Sequence, residues 1–308
     1  MRKCDIGGQA VLEGVMMRAP SRVAVAVRRY DGEIVVHSQQ LSSLKDRHPI
    51  FKLPIIRGIV TFVETLVVGI KSLMASAEMY GDPSAMEDYR PSRFEKFVAE
   101  KTGKKVEDVM SWFALLLAVG LAIVLFVVVP AMLTGLLKGW VNSRVALGLI
   151  EGLMRLIIFI GYIVLVARIK DIHRVFQYHG AEHKTIHCYE HGEELSIENV
   201  RKYSTLHPRC GTAFLLVVMV VGIVAFSALS WDNVMVRILI KILLLPLVAG
   251  VSYEIIKWAG RTSWPGVRLV MFPGLMLQKL TTREPDDAQL EVAIRAFVEA
   301  AGLSGKEA

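Results

Sequence analysis

Only three cysteines occur in 308 residues. An odd number cannot all pair, and Cys4, Cys188 and Cys210 lack the spacing of a disulfide framework, which points to a reducing compartment for their side of a membrane. No phosphate-binding loop, dinucleotide fingerprint, internal repeat or Ser/His/Asp order stands out, so the common nucleotide-dependent and serine-hydrolase readings have no support. The basic loops lack the aromatic interleaving of a single-strand binder, and no nucleic-acid partner is expected. Met1-Arg-Lys runs into Cys-Asp and a Gly-Gly turn, so no signal peptide is expected there.

Apolar side chains are abundant instead. The chain is 53% hydrophobic with a mean hydropathy of +0.45, too apolar for an ordinary soluble domain and characteristic of a polytopic membrane protein. Four long apolar runs, 112–137, 145–167, 212–230 and 235–256, each approach the ~20 residues that cross ~30 Å of hydrocarbon. Lys and Arg exceed Asp and Glu by 36 − 29 = 7, an excess that suits cytoplasmic loops and anionic lipid headgroups as partners. Lys plus Arg number nine in residues 1–52, six in 75–111, seven in 168–210 and seven in 257–308, but two each in 138–144 and 231–241. The positive-inside rule therefore places both termini and the loop 168–211 in the cytoplasm, with the protein multi-pass in the cell membrane.

The expected fold is mainly α: about four transmembrane helices plus a re-entrant or interfacial helix, a small N-terminal β-element and a cytoplasmic His-rich loop. Residues 1–52 form the β-rich element. Val23–Val27 and Glu33–Val36 flank Asp31-Gly32, which favours a tight type I′ turn. Gly7, Gly8 and Gly14 suggest unusual backbone angles. Residues 53–80 form the extra helix, in which Arg57, Glu64, Lys71 and Glu78 recur every seven residues. A lipid-facing span would not carry such a stripe cheaply, so it requires protein partners. A linker (81–111, helical and charged in its second half) precedes the first helix pair (112–167), and the His-rich loop (168–211) precedes the second (212–258). Arg155, and Glu254 with Lys257, are the polar exceptions of the spans, read as helix-pairing groups. In the tail (259–308), Pro265 and Pro273-Gly274 are expected to break any helical continuation of the last span. An amphipathic helix then follows, with Pro285 in its first turn.

Between His173 and Thr212 fall six of the eight histidines, with Cys188 and Cys210. If residues 176–190 are helical, His179 and His183 lie one turn apart, as do His183 and His187, the spacing two imidazoles need to share an ion. His179 and His187 are about 12 Å apart in axial rise and cannot share one on a straight helix. His179-Gly-Ala-Glu182-His183 matches H-x-x-E-H, in which two histidines hold zinc and the glutamate is general base. Gly180 weakens that helix or loosens its first turn. The turn His207-Pro-Arg-Cys210 offers an imidazole and a thiolate to the same ion. Cys188 reads as a packed small side chain. Glu13 is the acid to watch if the N-terminal segment approaches the histidines, and Glu254 is a candidate distant ligand.

His-Gly-Ala-Glu-His-Lys-Thr-Ile, His-Pro-Arg-Cys-Gly-Thr, the opening Gly-Gly-Gln-Ala-Val-Leu-Glu-Gly-Val-Met-Met-Arg and the closing Leu-Thr-Thr-Arg-Glu-Pro-Asp together resemble the DUF1385 family. The resemblance implies an integral membrane protein of bacteria described as a predicted metal-dependent enzyme, with no reaction assigned. Two functions follow as expectations. In the first, a zinc or similar divalent transition metal is held by His179, His183 and one or two of His187, His207 and Cys210, with Glu182 activating water in a hydrolase. In the second, a closed zinc site pins a non-catalytic regulator or assembly factor that binds other membrane proteins, such as insertion or quality-control machinery. An open coordination position separates the two.

Overall fold

The structure, a computed structural model, describes residues 6–42, 44, 48–81, 97–98, 100–101, 103, 106–208, 210–227, 234–259 and 265–303. The valine- and alanine-rich N-terminal segment builds an antiparallel meander in the order β1 (Gly7–Val11), β2 (Gly14–Arg18), β3 (Arg22–Arg28) and β4 (Ile34–Gln40). The central strands β2 and β3 are apolar at nearly every position because both their faces are covered, whereas β4 is exposed from Val36 to Gln40 and polar from His37 on. Val15, Met17, Ala24 and Ala26 face one core, while Val11, Met16, Val23, Val25 and Val27 face another. Each buried valine or methionine contributes roughly 1.5–3 kcal/mol.

The expected hairpin is present, but its turn is not the two-residue type I′ form. Arg28 pairs with Ile34, the Arg29 N–H donates to the Glu33 carbonyl at 2.8 Å, and the Gly32 N–H donates to Arg29 at 3.0 Å. Gly32 takes φ +89°, so the loop is a turn closed by a left-handed glycine. Nor do Gly7, Gly8 and Gly14 adopt positive φ; the residue that does so in the β1–β2 turn is Glu13, at +46°. Gly14 is required for close approach, since a Cβ there would lie 2.2 Å from the Ala26 carbonyl oxygen.

Helix α1 (Ile56–Tyr80) covers one sheet face through Val68. Its charged stripe finds two of its partners: Glu64 bonds Arg18 of β2 at 3.0 Å, and Arg57 pairs with Glu254. Glu254 is thus tied to a helix contact. Downstream come α2 (Val106–Ile123), a π turn (Val124–Val128), α3 (Val129–Leu136), α4 (Arg144–Val166), α5 (Lys170–His191), α6 (Ile197–Arg201), α7 (Gly211–Ser227), α8 (Val234–Ala259), α9 (Pro265–Thr281) and α10 (Asp287–Ala301). The expected linker helix falls largely outside the described residues.

Among the described residues, four helices are long and apolar enough to cross a membrane: Ile56–Tyr80, Trp112–Leu136, Val145–Val166 and Ile238–Ala259. Three coincide with expected runs. The fourth expected run is represented by Gly211–Ser227, of 17 residues, with 228–233 outside the described residues.

The chain forms two compact units, one within 1–81, 161–222 and 244–308, the other within 82–160 and 223–243. In the first, α5 and α10 pack on the sheet face opposite α1. Helix α9 runs through Pro273 rather than breaking there. Pro265 opens it at the position where a missing N–H is harmless, and Gly274 abuts Ala213, where a Cβ would come within 2.9 Å of that side chain. Packing outweighs the one helical hydrogen bond a proline removes. Helix α10 begins at Asp287, later than expected. Pro285 lies outside it, and Asp286 forms a capping box with Gln289.

The second unit holds a charged group that the apolar runs conceal. Lys241 bonds Glu151, Arg155 lies 3.2 Å from Glu151, and Glu151 and Lys241 are both buried. Pro130 has no N–H to offer the carbonyl of Phe126 four residues earlier, and the Arg155 Nε donates to that carbonyl at 2.8 Å. The π turn around Phe126 and the membrane arginine are therefore two halves of one repair.

Candidate metal centre

Helix α5 is a polar helix that is nonetheless buried over Tyr178, Gly180–Ile186, Cys188 and Glu190. It can be so because its neighbours are backbone carbonyls and charged groups placed to meet it. Gly192 ends it in the left-handed conformation at φ +79°. Lys184, buried, reaches the Arg201 carbonyl at 2.9 Å and pairs with Glu284. Arg174 pairs with Glu13, which also accepts from the Tyr178 hydroxyl at 3.2 Å. Glu13 is therefore a docking residue and not a ligand; burial and this carboxylate push the Tyr178 phenol up.

His179, His183, His187 and Glu190 recur on α5 at helical spacing and meet the segment Thr205–Cys210. Two groups result. His179, His183 and Cys210 bring one ligand atom each within 4.8 Å of one another, and so do His187, Glu190 and His207. The turn that was expected to carry an imidazole and a thiolate to one ion divides them between the groups. It does so because successive turns of α5 lie opposite different residues of the turn. All five residues expected as ligands fall within these two groups, and Glu190 joins them.

The imidazoles are oriented by main-chain carbonyls. Nδ1 of His179 lies 2.8 Å from the Thr281 oxygen, and Nδ1 of His183 bonds the Thr205 oxygen. A carbonyl only accepts, so both Nδ1 atoms carry hydrogen and both Nε2 atoms present lone pairs, the arrangement typical of metal-binding histidines. His187 uses the opposite edge, Nε2 donating to Leu206 at 2.9 Å, which leaves Nδ1 as its lone-pair atom. Nε2 of His183 is buried without a hydrogen-bond partner, a costly state that a cation would relieve. Cys210 Sγ lies 3.2 Å from His179 Nε2 and accepts from the Thr212 N–H at 3.4 Å, at the start of α7. Two nitrogens and a sulfur are a donor set that zinc takes readily.

Glu182 stands beside this group. Its Oε2 is 3.6 Å from His183 Nε2 and 3.9 Å from His179 Nε2. Burial pushes its carboxyl up to about 7, the Cys210 sulfur adding to the rise while His179 and the Gly8 N–H oppose it. Close approach explains Gly8 where φ does not: a Cβ there would lie 2.7 Å from the Glu182 Cγ. Burial also depresses His183 well below the ordinary histidine range and His207 to about 4, and raises the Cys210 thiol despite the Thr212 hydrogen bonds. Burial thus favours the neutral form of these imidazoles, the form in which imidazole ligates.

Gly180 sits inside a regular helix rather than loosening it. A Cβ there would come 2.1 Å from the Arg283 carbonyl oxygen, and the Arg283 N–H donates to Phe176 at 2.9 Å. Cys188 is fully buried in the core, and burial pushes its thiol up to about 11, as a packed side chain requires. Sequence reasoning missed Glu190, whose signal was its position three residues after His187. It also missed Gln278, which grips the His207 backbone from both sides at 2.9 Å.

The family described as "Protein of unknown function (DUF1385)" matches residues 53–302. A curated relative, the "Uncharacterized protein YqhQ" of Bacillus subtilis (strain 168), is 37% identical over 306 residues, covering 95% of this chain and 91% of that one. No solved structure matches.

Proposed function

The chain belongs to the DUF1385 family, and from that premise we propose that it is a metal-dependent membrane enzyme, a hydrolase working at the cytoplasmic face. The observation that carries this reading is the division of the ligands. With His207 assigned to the other group, His179, His183 and Cys210 are three protein donors with a buried carboxylate alongside, and a set of three leaves a coordination position for water or substrate. A zinc-class ion bound there acidifies water and polarises a substrate oxygen.

The chain's own residues do the rest. Thr281 and Thr205 hold the two imidazoles in one tautomer each. Glu182, near both ring nitrogens and with its acidity brought close to neutral, accepts the proton of an attacking water and returns it to the leaving group. Gly8 supplies a backbone donor rather than a side chain, which fixes the carboxylate without blocking it.

The test is Glu182→Gln. The amide keeps the shape of the carboxylate but takes no proton. The variant should therefore retain its ion and its fold yet lose function in a deletion strain by about 100-fold or more, the scale of general-base catalysis. Full complementation would replace the enzyme reading with the second one, a zinc-pinned interaction protein. In that case His207→Ala and Cys210→Ala should be the damaging changes.

In the same proposal the sheet, α5 and α10 lie in the cytoplasm, and α1 rests in the membrane interface. Its Arg57 meets Glu254, near the end of α8. Phe62 packs on Phe214 at the start of α7, with ring centroids 6.2 Å apart, and Ser76 accepts from Leu12 of the sheet. An impermeant maleimide applied to intact cells should label Asn142→Cys above the parent protein. Labelling only after the cells are opened would reverse this topology.

A further inference from the structure

We propose that the centre is binuclear, His187, Glu190 and His207 holding a second divalent cation next to the one assigned to His179, His183 and Cys210. The inference rests on the metal-dependent reading and extends it to residues that reading does not use. The three donor atoms lie within 4.8 Å of one another. Glu190 and His207 are each 4% exposed, and a carboxylate taken that far from water is stabilised by a cation far better than by a neutral ring.

The site is also built. The Leu206 carbonyl fixes the His187 ring by accepting from its Nε2, the His187 and His207 rings approach to 4.5 Å at 59°, and the fully buried Gln278 clamps the His207 main chain in both directions. Supporting bonds of this kind hold ligands in place. His207 and His183 are 5.7 Å apart between ring centroids, so the two groups adjoin.

Their chemistry differs. The first offers two nitrogens and a thiolate, the second two nitrogens and a carboxylate oxygen. The second should therefore accept harder ions such as manganese or iron(II) alongside zinc, whereas the thiolate favours zinc.

Cobalt(II) distinguishes the sites, because only the first can give a thiolate-to-metal charge-transfer band. Detergent-purified full-length protein, stripped and titrated with cobalt(II), should take up two ions per chain, one with the band and one without. Glu190→Gln should bind one ion and keep the band. Cys210→Ser should lose the band and keep the other ion, which retains the argument if Glu190→Gln does not fold. A single ion carrying the band in the parent protein, unchanged by Glu190→Gln, overturns the second site and leaves the first standing. No uptake at all overturns both.

Discussion

Gly180→Ala is expected to destabilise the protein by at least about 3 kcal/mol, the upper part of the range for overpacking a close contact. On helix propensity alone the same change should stabilise by about 1 kcal/mol, so the two considerations predict opposite signs. The contact decides. The new methyl would lie 2.1 Å from the Arg283 carbonyl oxygen and 3.2 Å from the Thr205 side chain. Backbone cannot swing away as a side-chain tip can. Relief requires the 281–284 segment to leave α5, which breaks the Arg283–Phe176 bond and withdraws the Thr281 carbonyl from His179. The variant should therefore also bind its ion more weakly. Thermal unfolding in detergent, beside Gly161→Ala, where nothing lies within 4 Å of the added methyl, checks this. Equal melting of Gly180→Ala and the parent would mean that the 281–284 segment does not lie on the helix as described.

His183→Ala should abolish cation binding at the group proposed to include Cys210. Loss of a partner that merely supports a ligand weakens metal binding by roughly 10–100-fold, and loss of the ligand itself should exceed that. His183 is 1% exposed and its Nδ1 serves the Thr205 carbonyl, so the substitution also leaves a buried acceptor unpaired, at about 1–3 kcal/mol. His191→Ala is the control. That histidine lies on the same helix but outside both groups, its Nδ1 donating to the His187 carbonyl at 2.8 Å and its ring packing against Tyr203. An undiminished charge-transfer band in His183→Ala would rule out the proposed ligand set.

Periodicity made the imidazole-bearing helix legible, because four-residue spacing of imidazoles means something only on a helix, and α5 is one. It could not assign the turn residues to their groups, since which residue of 205–210 meets which helical turn depends on how two segments cross. The same blindness turned Gly180 into an apparent weakness: a sequence shows the missing side chain but not the carbonyl that needs the space. Arg57 and Glu64 were legible as groups requiring partners, while Glu254 and Arg18 come from distant parts of the chain. Glu151 and Lys241 escaped because single charges vanish within long apolar runs. Each is intelligible only across the helix pair that buries both. Pro273 misled because a proline marks the end of a helix on propensity alone, and packing at Gly274 outweighed it.

Strand β1 has one further property. Its neighbouring residues face opposite ways, and Gly8 lies against Glu182 while the side-chain oxygen of Gln9 lies where a Cβ on Gly69 of α1 would fall, 2.5 Å from it. Two glycines, one on the strand and one on the helix, let the strand close on both neighbours. The strand thus lies as a spacer between an apolar helix and the Glu182 carboxylate. A sideways movement of α1, from bilayer tension or thickness or a neighbour pressing on it, is taken up first by the Gln9 side chain and reaches Glu182 through the Gly8–Gln9 backbone once that play is spent. The position of the carboxylate is thereby tied to the seating of that helix through one side chain and one stretch of strand.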